Sequence, residues 1–159
     1  MGQKTHPLGF RLGITQEHKS TWYANFNQYS NVLQEDDKIR TYLNSISKSN
    51  SISNVRINRN GLNDQIQLNI ETGKPDILVG DLGIGLESLL TNVKKFLPKD
   101  RQLTINVFEI EKVDLDASLL AYLVADQLEK RIAFRRAIRE ALQRAQKQNV
   151  NGIKIQVSG

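Results

Sequence analysis

The sequence predicts an α+β fold, and three observations carry that reading. Apolar residues alternate with polar ones at Val55 and Ile57, at Ile66, Leu68 and Ile70, and at Leu103, Ile105 and Val107, the period of half-buried strands. Around these runs the apolar spacing changes to three and four, the period of amphipathic helices. The positive charge is local: residues 130–147 hold seven cations against the single acid Glu140, a net +6, whereas the whole chain carries +5.

Length and composition bound the function. The 159 residues suffice for one domain or two small ones, and a globule of this size buries roughly 68–70% of its unfolded surface. There is no cysteine, and His6 and His18 are the only histidines. Disulfide frameworks, thiol nucleophiles and cysteine-based zinc sites are thereby excluded, and neither a metal nor a cofactor is expected. No apolar run is long enough for a membrane helix, so no membrane partner is expected. The hydrophilic N-terminus lacks a signal core, which points to work in the compartment of synthesis or after loss of a targeting piece.

Taken in order, residues 1–34 show no sustained period and are punctuated by Pro7, Gly9 and Gly13. Such a stretch cannot build its own core and must lie on something else, protein or nucleic acid. Its cations Lys4, Arg11 and Lys19, with Trp22 and Tyr23, suit phosphate contact plus base stacking; the alternative is that the aromatics tuck this arm onto the body. Glu35-Asp36-Asp37 is expected to open a helix, acids at the positive end of its dipole, with Ile39, Leu43 and Ile46 on one face. That helix ends in the Asn/Ser-rich stretch from Ser47 to Ser53, and two antiparallel strands follow around the Asn60-Gly61 turn signal.

Pro75 starts a short helix, Gly80 and Gly83 make a tight turn, and Leu86, Leu89, Leu90, Val93 and Phe96 mark a further helix before the third strand. Neither the Walker spacing nor the G-x-G-x-x-G order is present. Asp114 and Asp116 precede a helix over about 115–131 bearing Leu119, Leu120, Leu123 and Val124. A second helix, over about 134–148, carries an apolar stripe of Phe134, Ile138, Ala141 and Ala145, with one strand expected at 152–158. Arg131, Arg135 and Arg139 are four apart, so a helix that begins early enough stacks them in a ladder, with Arg136 about 100° round from Arg135. Arg144 follows on the same helix. Adjacent guanidinium groups repel unless something anionic lies across them, and phosphate fits; the alternative is a solvated cationic face.

The order helix, two strands, helix, Gly-x-x-Gly turn, helix, strand resembles a K-homology (KH) domain of the second type. Further stretches narrow the resemblance: Met1-Gly2-Gln3-Lys4 with His6-Pro7 and Gly9; Arg11-Leu12-Gly13-Ile14; Ser20-Thr21-Trp22-Tyr23-Ala24-Asn25; Gln127-Leu128-Glu129 leading to Phe134-Arg135-Arg136-Ala137; and Gly152-Ile153-Lys154-Ile155-Gln156-Val157-Ser158-Gly159. In order and over essentially the whole chain, these are similar to the bacterial-type ribosomal protein S-three family, the KH-bearing family of the small subunit. Leu8-Gly9-Phe10 and Thr15-Gln16-Glu17-His18 are most similar to plastid and cyanobacterial members.

The resemblance implies an N-terminal extension at 1–34, a type II KH domain at 35–112 and part of a second α/β domain at 113–159, since the family continues past Val-Ser-Gly with further strands. It implies a structural, non-enzymatic constituent of the small ribosomal subunit that binds ribosomal RNA in the head and touches neighbouring ribosomal proteins. The residues matching Arg135, Arg136 and Arg139 lie, in the family, where mRNA enters and is unwound. Arg131, Arg144, Lys4, Arg11, Lys19 and Trp22 are expected on RNA beside them. The expected location is the plastid ribosome, with the cyanobacterial cytoplasm as the alternative. One departure concerns the KH loop Gly80-Asp81-Leu82-Gly83: an acid stands where the family commonly has basic or small residues, so the loop is expected to be structural rather than a phosphate grip. Two other classes were weighed. A free single-stranded RNA-binding KH protein needs a competent loop, and a nucleotide-using enzyme built on Gly80, Gly83 and Gly85 lacks the Lys-Ser/Thr pair.

Overall fold

The structure, a computed structural model, describes residues 2–61, 64–80 and 83–158, with residues 48–50 described by their backbone alone. The elements are α1 (Pro7–Arg11), β1 (Ser20–Thr21), α2 (Phe26–Asn50), β2 (Ile52–Asn60), β3 (Gln65–Thr72), α3 (Pro75–Val79), α4 (Ile84–Lys94), β4 (Gln102–Glu109), a 3-10 turn (Val113–Leu115), α5 (Ala117–Glu129) and α6 (Phe134–Lys147). The expected order from the first long helix to the third long strand is therefore present. Among the described residues, no helix is long and apolar enough to cross a membrane.

The sheet runs β1-β2-β3-β4, with β2 and β3 antiparallel and β3 and β4 parallel. Ile57 stands opposite Leu68, and Leu68 opposite Ile105, so the alternating apolar sets of all three strands share one face. A slip of one residue would turn each set to solvent, and burial thus fixes the register. Ile39 and Leu43 of α2, Leu78 of α3, and Leu89 and Val93 of α4 close over that face in one core. Each fully buried Ile or Leu contributes about 1.5–3 kcal/mol.

Three expectations are corrected. The first long helix begins at Phe26, nine residues before Glu35, so the acids sit in its interior and the boundary drawn at residue 35 falls inside a helix. Its core stripe extends back through Val32, but Glu35 and Asp36 occupy buried positions on the same side and interrupt the apolar period. Second, the sheet has four strands: Ser20 and Thr21 pair in parallel with Ile57 and Asn58. Third, among the described residues no strand forms at 152–158. A strand exists only through a hydrogen-bonded neighbour, and here Ile155 instead packs on Val124, Ala137 and Ala141.

The C-terminal helices are tied to the sheet domain by named contacts. Asp116 caps α5 by accepting from the backbone N–H groups of Ser118 (2.8 Å) and Leu119 (3.0 Å), and it also accepts from the Ser53 hydroxyl of β2 (2.5 Å). The Ser47 hydroxyl of α2 donates to the Tyr122 hydroxyl at 3.1 Å. A Cβ at Gly73 would lie 3.1 Å from the side chains of Leu119 and Val113, so the missing side chain is what lets this end of β3 meet α5.

Candidate nucleic-acid interface

Helix α6 is held to α5 by its alanines. Ala137, Ala141 and Ala145 recur every fourth residue and are fully buried against Val124 and Leu128, so small side chains bring the two helices close. This moves the buried stripe away from Phe134. That ring, expected inside, is 55% exposed, and the Arg135 guanidinium lies over it at 5.8 Å, a cation–π contact.

The single acid of the basic window sets how the cations face. Glu140 accepts from Gln127 of α5 at 2.7 Å and from Arg144 at 2.9 Å. The Gln127 amide, followed by Arg144 and the charge of Arg136, holds its carboxyl below the ordinary glutamate range. Arg144 is thus occupied within the helix, and Lys130 is paired with Asp126 at 2.6 Å. Arg135, Arg136 and Arg139 are exposed and have no carboxylate partner within 4 Å among the described residues.

Arg131 does not join the ladder, because α6 begins only at Phe134. It ends α5 instead, in the left-handed region at φ 58°. Its N–H donates to Leu128 O at 2.9 Å, and the N–H of Ile132 donates to Gln127 O at 3.0 Å. This is the hydrogen-bond pattern of a Schellman cap, in which glycine is the usual occupant of Arg131's position. The Arg131 side chain is exposed at the corner between the two helices.

The N-terminal candidates lie on other elements. Lys4 is exposed; the Arg11 guanidinium donates to Pro7 O at 3.0 Å and lies 5.9 Å over Phe10. Lys19 gives its carbonyl to Ile57 N–H at 2.9 Å and leaves its side chain exposed. The Trp22 indole N–H donates to Asp36 at 2.8 Å, and its ring tilts against Tyr29 at 5.3 Å, the tucked arrangement weighed from the sequence. Among the described residues, no hydrogen bond or ion pair joins these groups to α6.

Asp36 belongs to a network that sequence reading does not find. The fully buried Arg59 side chain of β2 is salt-bridged to Glu35 at 2.6 Å and to Asp36 at 2.5 Å, while Arg101 approaches Glu35 at 3.5 Å. Arg59 continues the core-facing alternation of Val55 and Ile57, and that is the available signal: a cation in an apolar register implies an acid buried opposite.

In the KH loop, Gly80 (φ 67°, ψ 179°) and Gly83 (φ 83°, ψ 3°) both have positive φ, so glycine is needed whatever the loop touches. Asp81 and Leu82 lie outside the described residues, and with them the charge argument about this loop. Gly85 has a packing role: a Cβ there would sit 2.6 Å from Leu78 O and 2.7 Å from Val79 O, so its absence lets α4 start against α3.

Comparison with known proteins agrees with this architecture. Residues 38–115 match the KH domain family, and residues 124–159 match the family described as ribosomal protein S3, C-terminal domain. Small ribosomal subunit protein uS3c of Phaeodactylum tricornutum is 89% identical over the whole chain, which spans 74% of that relative. The uS3c of Thalassiosira pseudonana is 69% identical with the same coverage. The uS3 of the cyanobacterium Thermosynechococcus vestitus is 50% identical over the whole chain, which spans 66% of it. On the strength of these matches, the chain belongs to the family of small ribosomal subunit protein uS3.

Proposed function

We propose that this chain, in its structural and non-enzymatic ribosomal role, holds ribosomal RNA and incoming mRNA through the outer face of α6. The carrying observation is the trio Arg135, Arg136 and Arg139, exposed and without carboxylate partners among the described residues, on a helix fixed from behind by three buried alanines and by the Gln127–Glu140 hydrogen bond. The uS3c names of the diatom relatives assign the chain to the plastid form of the family.

The mechanism needs no bond-making. Arginines spaced along one helix face neutralise successive phosphates, and their planar forks donate in pairs to phosphate oxygens. Affinity then comes mainly from counterion release and carries little sequence preference, which suits a message of any sequence. In this reading residues 35–112 form the KH body, the extension at 1–34 bears Lys4, Arg11 and Lys19 on its outer side, and 113–159 presents the arginines. Arg131 and Arg144 flank the trio and bear on ribosomal RNA.

The test is translation by ribosomes carrying Arg135→Ala/Arg136→Ala/Arg139→Ala. Elongation through stable mRNA hairpins should slow more than elongation through unstructured message. Equal rates on both templates, matching the parent, would leave the three arginines as a solvated face.

A further inference from the structure

A second exposed surface, of different chemistry, lies on the first turns of α2. Phe26 is 96% exposed, Tyr29 51% and Leu33 49%, and the exposed Tyr23 precedes them. At about 100° per residue, Phe26, Tyr29, Leu33 and Asp37 fall within a sector of about 80°. This sector is distinct from the one that buries Val32, Ile39 and Leu43. Beside it, Trp22, Tyr29, Leu33, Asp37 and Arg40 line a groove of about 340 Å³, large enough for an apolar side chain.

The charge of this face excludes the partner inferred for α6. Arg40 turns its guanidinium inward, donating to Val55 O at 3.0 Å, Lys19 O at 2.8 Å and the Ser20 hydroxyl at 2.7 Å. Asp36 is taken up by Arg59 and Trp22. What remains outward is Asp37, exposed and without an ion pair among the described residues. A face of aromatic rings with an outward carboxylate and no free cation repels phosphate. It has the composition of a protein–protein hot spot, where Tyr, Trp and Phe anchor.

We infer that this face of α2 docks a neighbouring ribosomal protein through a segment that places an apolar side chain in the groove and a lysine or arginine against Asp37. The inference rests on the ribosomal reading above, and the experiment separates the two. A photoreactive phenylalanine analogue replaces Phe26 in the full chain, small subunits are isolated, and adducts are treated with ribonuclease or with protease. The expected result is a protein adduct that survives ribonuclease. Its yield should fall about tenfold or more with Leu33→Ser or Asp37→Lys, both at exposed positions where the fold does not depend on them. An adduct dissolved by ribonuclease would assign the face to RNA and overturn the inference. So would a chain that is present in subunits yet gives no adduct. If the chain is missing from subunits altogether, the ribosomal reading fails and this inference falls with it.

Discussion

Arg59 and the trio on α6 are the same residue type in opposite situations. Arg59 has no solvent exposure and meets two carboxylates, one of which also accepts from Trp22 and Ser20. The trio is exposed and meets none among the described residues. A buried guanidinium is tolerated only because its donors are matched, so its chemistry is consumed by the fold. An exposed, unmatched one contributes little to folding and keeps its donors for a ligand. The number of arginines is thus a poor guide to RNA binding; the number left unpaired is the better one.

The largest effect should come from breaking the buried side of this comparison. Arg59→Met strands Glu35 and Asp36 in the core and should cost about 3–5 kcal/mol in chemical denaturation. Converting Glu35 and Asp36 to leucine in the same variant should recover much of that loss, since an apolar set fills the space without unpaired charge. A loss below about 1 kcal/mol for Arg59→Met would mean that the network is solvated and that the contrast with α6 is wrong.

A smaller effect, of opposite sign, is expected at Arg131. Relief of its left-handed backbone in Arg131→Gly should stabilise the chain by about 0.5–1 kcal/mol, the lower unfolded-state order of glycine offsetting part of the gain. If this arginine also touches phosphate, RNA affinity should fall as stability rises, and a thermal melt beside a binding titration resolves the two.

The smallest effect concerns pH. Glu140 has a folded pKa held below its ordinary value of 4.5, the Gln127 amide being the first cause. A depressed carboxyl contributes stability that is present above 4.5 and lost as pH falls through the folded pKa. Gln127→Leu should therefore raise the Glu140 titration midpoint seen by carbon-detected NMR and narrow that acid window. An unmoved midpoint would show that Arg144 alone holds the carboxylate.

What the sequence made legible follows the same divide. Strands β2, β3 and β4 are visible because one face of each is buried and the other wet, so the period of two survives in the residues. The start of α2 is hidden because Glu35 and Asp36 fill core positions on behalf of an arginine more than twenty residues away. Strand β1 is two residues long and exists only through its pairing with β2, which no local pattern encodes. On α6 the charge run is plain in the sequence, whereas the division between paired Arg144 and unpaired Arg135, Arg136 and Arg139 depends on where one acid points. Phe134 was misplaced because alanine spacing, rather than the largest side chain, determines the buried face of that helix.

The central claim is that the outer face of α6 binds phosphate and does not hold the fold. It is tested most directly by measuring the affinity of the full chain for single-stranded RNA over a range of salt, with and without Arg135→Ala/Arg136→Ala/Arg139→Ala. If each arginine neutralises one phosphate, the slope of log affinity against log salt should fall by roughly 2, at about 0.7 per phosphate. Denaturant stability should stay within about 0.5 kcal/mol of the parent. An unchanged slope would contradict the phosphate assignment, and a large loss of stability would contradict the separation between the two kinds of arginine.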